Sequence, residues 1–135
     1  MTVYIFGNGN IAFADFMRLY EAPLRRLLEL PDVHFVLCDF RGVDTLAMEL
    51  LKSETENVSV YHVGDRPRYT PDQFKTRVSR WKRVGGFKSD GERDSAAIQA
   101  CTHFLAVDFN SDEARKSGTK KNIEECLRLD KVSVS

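Results

Sequence analysis

The sequence predicts an α/β fold, a three-layer sandwich with a mostly parallel sheet of about five strands. Three observations carry this. Short apolar runs alternate with longer amphipathic stretches. The stretches between runs are long enough for crossover helices, which parallel neighbours require. The runs are almost continuously apolar, as strands covered on both faces are. At 135 residues one core is expected, with residues 1–135 as a single domain.

The elements follow in order. Thr2 to Phe6 reads as a buried strand, stopped by the turn Gly7-Asn8-Gly9. Residues 14–30 carry a helical stripe of Phe16, Leu19, Tyr20, Leu24, Leu27 and Leu28, with Pro23 kinking or splitting the helix. Val33 to Phe40 is a second strand, Asp44 to Lys52 a helix, and Val58 to Val63 a third strand. Thr70-Pro71 has the cap and first-position proline of a helix, and Phe74, Val78 and Trp81 supply its stripe. Gly85-Gly86 ends that helix. Ser89 and Glu92 have capping-box spacing and start a helix to about Ala100. His103 to Phe109 is a fourth strand, Ser117-Gly118-Thr119 opens a helix to Leu129, and Lys131 to Val134 closes the sheet.

Lys plus Arg and Asp plus Glu each number 20, which excludes a globally basic nucleic-acid coat and an acidic tail. The balance is local, not uniform. Residues 66–93 hold nine basic and three acidic side chains, net +6, and residues 1–65 hold five and ten, net −5. Thr2 to Phe6 lacks the basic flank of a signal peptide, and no apolar stretch spans a membrane, so a cytoplasmic protein is expected. Cys38, Cys101 and Cys126 are odd in number and widely spaced, which argues for reduced, packed thiols. No His/Cys cluster has metal spacing, and no cofactor is implied. His34, His62 and His103 fall within strands, where packing is the expected role.

In an open α/β sheet, ligands bind beyond the carboxyl ends of the strands. Three turns there are prepared for an anion. The first is Gly7-Asn8-Gly9-Asn10, where glycine admits close backbone approach. The second is Asp39-Phe40-Arg41-Gly42-Val43-Asp44, offering a cation, a glycine, and a carboxylate at Asp44 that either caps the helix or faces ribose hydroxyls. The third is Ser117-Gly118-Thr119, where backbone N–H groups converge on a helix start, either as a phosphate nest or with Thr119 as a simple cap.

These residues resemble the SLOG superfamily of Rossmann-like nucleotide-binding domains, and specifically its YspA-like branch, common in bacteria and phages. The superfamily includes the Lonely Guy phosphoribohydrolases and DNA-processing protein A. The branch has a glycine turn after strand one, then a G-x-x-G-A-D-x-x-A segment, matched here by Asp39 to Ala47. A later A-G-x-x-R-N segment is matched by Asp90 to Asp94, and a GT-containing helix start by Ser117-Gly118-Thr119. Asp39 stands at a usual glycine and Asp94 at the usual asparagine, so both add negative charge. The resemblance implies a nucleotide pocket lined by Gly7, Gly42, Asp44, Arg93, Gly118 and Thr119, with Arg93 pairing with phosphate.

The relatives that cleave N-glycosides place a carboxylate two or three residues after the GT threonine. Lys121 and Asn122 stand there in this chain. The leading expectation is therefore a domain that binds a nucleotide or nucleotide-derived small molecule as a sensor or sequestering protein. The alternative is an N-glycoside hydrolase or transferase acting on nucleoside 5′-monophosphates with a relocated carboxylate, for which Glu92 is the weak candidate. A further alternative is nucleic-acid binding through residues 66–93, whose basic side chains interleave with Tyr69, Trp81 and Phe87. A homodimer through the leucine-rich helix 24–30 is a further option for partners.

Overall fold

A computed structural model describes all 135 residues, Met1–Ser135. It is a mixed α/β sandwich around a six-stranded sheet. The strands are β1 (Thr2–Ile5), β2 (His34–Cys38), β3 (Val58–Val63), β4 (Lys82–Phe87), β5 (His103–Leu105) and β6 (Val132–Ser133). Their spatial order is β4-β3-β2-β1-β5-β6, and every adjacent pair is parallel. The chain steps outward from β1 to β4, then crosses back to place β5 on the other side of β1. The order therefore reverses between β1 and β5, the kind of place where such sheets leave a crevice.

Between β1 and β2 run α1 (Phe13–Phe16), a π turn (Met17–Glu21) and α2 (Ala22–Leu28); α3 is Val43–Leu51. They cover one face, against Val3, Ile5, Phe35, Leu37, Val58 and Val60. The opposite face, with Tyr4, Phe6, Val36 and Phe104, is covered by α4 (Asp90–Ala100) and α5 (Gly118–Arg128), through Ala97, Ile98 and Cys126. Alternate residues of each central strand thus feed two separate cores. Leu24 and Leu27 belong to the first core. Cys38, Cys101 and Cys126 are free and buried. No helix is long and apolar enough to cross a membrane.

Pro23 does not split the helix. The rod passes it through a π turn immediately before it, where wider bonding accommodates the missing N–H. That turn carries Tyr20, wholly buried. The Tyr20 hydroxyl donates to the Phe6 carbonyl (2.9 Å) and accepts from the Val107 N–H (2.9 Å). The last direct backbone bond here is Phe6 N–H to Leu105 O (3.1 Å), so β1 and β5 part just where the phenol enters. This is why β5 stops at Leu105 and does not continue to Phe109. A methyl on Gly7 would run into the same hydroxyl and into Val43.

The expected helix from Thr70 does not form. Residues 64–77 are irregular, Val78–Arg80 is a short 3-10 turn, and Lys82–Phe87 is the edge strand β4. Two local bonds divert the chain. The Asp72 carboxylate accepts the Phe74 N–H (2.8 Å), and Lys75 adopts φ +55°. Long-range bonds then hold the segment: Arg77 N–H to Lys52 O (2.7 Å) and Trp81 Nε1 to Thr55 O (2.9 Å). Val78 and Trp81 are core residues as the stripe implied, but Phe74 is exposed. Gly85 and Gly86 lie inside β4, not at a helix end. Any side chain at Gly85 would overlap the His62 imidazole packed on it.

Tyr20→Phe is expected to lower unfolding free energy by about 1–3 kcal/mol in urea titration, because it orphans a buried N–H and leaves a carbonyl without its donor. Gly7→Ala is expected to destabilise through overpacking against the same hydroxyl.

Candidate functional site

A cleft of about 580 Å³ opens beyond the carboxyl ends of β1, β2 and β5. All three anion-ready turns meet there. Its walls include Gly7, Asn8 and Gly9 after β1, and Arg41 and Asp44 after β2. Arg93 from α4 and Ser117, Gly118 and Thr119 at the start of α5 complete them. Gly42 does not border the cleft. With φ +78° it packs on the backbone of Asn8 and Gly9, so the two turns can touch. Glu92 is also outside. It is exposed and completes the expected capping box, taking the Lys88 N–H (3.2 Å) while its own N–H bonds Ser89 Oγ (3.1 Å). None of the three histidines borders the cleft.

A polar knot fixes the first and third turns together. Asn8 is 3% exposed. Its Nδ2 donates to Asp108 Oδ1 (2.9 Å) and Thr119 Oγ1 (3.3 Å), and its Oδ1 accepts the Phe109 N–H (3.0 Å). Asp108 also accepts from Ser117 Oγ (2.7 Å) and the Asn110 N–H (3.2 Å). Partial burial works against the Asp108 charge, but donors from Ser111, Asn8, Ser117 and Asn110 outweigh it and hold the carboxyl down at about 2. Ser117, not Thr119, caps α5, accepting the Lys120 N–H (3.0 Å). The side chains of Asn8, Ser117 and Thr119 are therefore bonded to protein, and what the turns offer a ligand is their backbone.

Arg93 departs from its expected role. It is 3% exposed. Its guanidinium meets Asp39 (2.7 Å), Asp90 (3.0 Å) and Asp94 (2.9 Å). Arg68 meets Asp39 from the other side at 3.3 Å. Despite burial, these bonds keep the Asp39 carboxyl below the usual range. The two added carboxylates thus occupy the arginine that the sequence resemblance assigned to phosphate. Asp94 is bonded in turn by Asn122 Nδ2 (3.1 Å). Asp44 is 5% exposed, and burial pushes its carboxyl well up. It does not cap α3, whose N-cap is Gly42. Its Oδ2 takes the Phe40 N–H (3.0 Å).

The cations free for an anion are Arg41 and Arg115, both exposed, both on the cleft, and neither in an ion pair. Arg41 lies over the Phe40 ring, 5.5 Å from its centroid. Arg115 is aimed by a tight turn in which Asp112 Oδ1 accepts the Ala114 and Arg115 N–H groups (2.8 and 2.9 Å). Sequence reasoning missed Arg115 and Asn110, which line the same space as Asn10 and Phe40 of the first two turns and Asn122 of α5.

No family model matches the chain, and no curated protein does. Among solved structures it is similar to DNA processing protein A from Helicobacter pylori, a protein described for its single-stranded DNA binding mode. The TM-score is 0.58 at 11% identity, over 99% of this chain and 75% of that one. The likeness is one of fold.

The depressed Asp108 carboxyl has a sign that can be tested. Its contribution to stability is complete above about pH 4 and is lost as pH falls toward 2. Urea titrations across pH 2–5 are expected to show this loss in the native chain and a smaller one in Asp108→Asn.

Proposed function

We propose that the cleft binds a nucleotide or nucleotide-derived small molecule, and that the protein acts as a sensor or sequestering domain of the YspA-like kind. The observation that carries this is the meeting of two backbone turns and two unpaired arginines on one cleft. The phosphate lies at the start of α5, where the Gly118 and Thr119 N–H groups and the positive end of the helix favour an anion. Arg41 and Arg115, both on the same cleft, supply the countercharge. Arg93 supports the site by ordering the carboxylates around it and does not itself clamp the phosphate.

The N-glycosidase reading has less support. Glu92 is engaged in capping, and Lys121 and Asn122 follow the threonine where a carboxylate would be needed. The nucleic-acid reading draws on Arg66, Arg77, Lys82, Arg83 and Lys88, all exposed and outside any ion pair, and on the fold shared with a single-stranded DNA binder. Its stacking platforms are otherwise engaged. Trp81 is in the core, Tyr69 donates to Glu49 (3.0 Å), and Phe87 stacks on Tyr61.

Thermal-shift titration with a nucleotide panel tests the proposal. A ligand at 100 times its Kd is expected to add about 2.7 kcal/mol of stability. Arg41→Ala combined with Arg115→Ala is expected to weaken binding about tenfold or more, while leaving the unliganded melting temperature nearly unchanged. No stabilisation by any nucleotide at millimolar concentration would overturn it.

A further inference from the structure

Two thiols meet at the end of the sheet away from the cleft. Cys101 is the C-cap of α4, just before β5, and Cys126 lies in the last turn of α5. Both are buried, at 2% and 0% exposure, and both belong to the core beneath those helices. The side chains are hydrogen-bonded to each other, the Cys126 S–H donating to Cys101 Sγ. Cys101 Sγ donates in turn to the Ile98 carbonyl (3.2 Å), which fixes its position.

Lys131 ties the pair together. Its backbone N–H bonds the Cys126 carbonyl (2.9 Å), and its Nζ bonds the Cys101 carbonyl (2.7 Å). One residue therefore joins the ends of α4 and α5 and sets an ammonium beside the thiols. The Cys126 donor and the Lys131 charge outweigh burial and bring the Cys101 thiol below its ordinary value. The Cys126 thiol is pushed up, first by the same bond and then by burial. The two sulfurs thus differ in kind, one disposed to become a thiolate and one to stay a thiol. Cys38 is the contrast. It lies in the same core, but its Sγ meets the Tyr4 hydroxyl (3.6 Å), and burial pushes its thiol well up.

We propose that Cys101 and Cys126 are a modification site, a dithiol that a hydroperoxide converts to an intramolecular disulfide. The Cys101 thiolate attacks a peroxide oxygen, the O–O bond breaks, and the leaving oxygen takes a proton from solvent to depart as water or an alcohol. Cys101 is then a sulfenic acid. The Cys126 sulfur attacks it, the S–S bond forms, and the hydroxyl leaves with the Cys126 proton as water. Two electrons pass from the thiols to the peroxide, and an external dithiol returns them. Access comes from the neighbouring edge strand β6, only two exposed residues long and held to Thr102 by the Val132 N–H (3.1 Å), since so short an edge opens locally at low cost. The bridge joins the end of α4 to the last turn of α5, the helices whose first turns carry Arg93 and the Gly118 and Thr119 backbone. In a reducing compartment such a bridge is transient and reports oxidation.

Peptide mapping of the folded native chain after brief exposure to hydrogen peroxide, quenching and alkylation tests this. The expected product is a cross-linked pair of peptides containing Cys101 and Cys126, lighter by two hydrogens, with Cys38 still alkylated. Dithiothreitol is expected to restore all three free thiols. In Cys126→Ser, Cys101 is expected to stop at the sulfenic acid and be trapped by dimedone. In Cys101→Ser, Cys126 is expected to stay a thiol. If either variant fails to fold, the map of the native chain still decides. Three fully alkylated cysteines after exposure, oxidation of Cys38 ahead of the pair, or a disulfide between two chains would each overturn the proposal.

Discussion

The hydroxyl of Tyr20 holds the cleft open. Two parallel strands side by side would ordinarily keep exchanging backbone bonds until their ends. Here the phenol from the π turn enters after Leu105 and takes one group from each strand, the Phe6 carbonyl and the Val107 N–H. Beyond that point the chains diverge without leaving a buried polar group unpaired. Everything that defines the site follows from the divergence. Gly7 must lack a side chain to let the hydroxyl in. Asn8 can then turn toward β5 and bridge to Phe109, Asp108 and Thr119. That bridge sets where α5 begins, and so where its N–H groups point.

A second constraint is electrostatic. Arg93 gathers Asp39, Asp90 and Asp94, and Arg68 joins Asp39 and Asp90 from the rim. A buried cation needs such partners, and buried carboxylates need a cation, so the cluster is mutually required. Its functional consequence is to take Arg93 out of the set of cations free on the cleft. The arginine that sequence resemblance assigns to phosphate is consumed, and the exposed Arg41 and Arg115 remain for that role. The basic block at residues 66–93 is divided by the same logic. Arg93 and Arg68 face inward to carboxylates, while Lys82 and Arg83 lie on edge strand β4, where like charges deter pairing with other chains.

The sequence made much of this legible and misled on one segment. Apolar runs located β1, β2 and β5, because strands buried on both faces leave little room for polar interruption, and β3 was legible from its apolar residues alternating with Ser59 and His62. The capping box at Ser89 and Glu92 and the start of α5 at Ser117 were readable because caps are local chemistry. Strand β4 was hidden. Lys82-Arg83-Val84-Gly85-Gly86-Phe87 is a solvent-facing edge with neither an apolar run nor clean alternation; Gly85 answers to the bulk of His62, a residue 23 positions earlier, and Gly86 takes φ +85°. The helical spacing of Phe74, Val78 and Trp81 was real but belonged to an irregular segment held by bonds to Lys52 and Thr55. At the site, the turns were readable from their glycines and hydroxyls. The pairing of Arg93 was foreshadowed only by the two unusual aspartates. Arg115 was not readable, because its aim depends on the turn that Asp112 closes.

The central claim is that an anion sits on the backbone at the start of α5, between Arg41 and Arg115. The most direct measurement is an amide-resolved NMR titration with a ribonucleoside 5′-monophosphate. The expected result is saturable movement of the Gly9, Gly118 and Thr119 amides, with the residues of β4 unmoved. Movement confined to Lys82–Phe87 and the preceding basic loop, with the α5 amides silent, would contradict it.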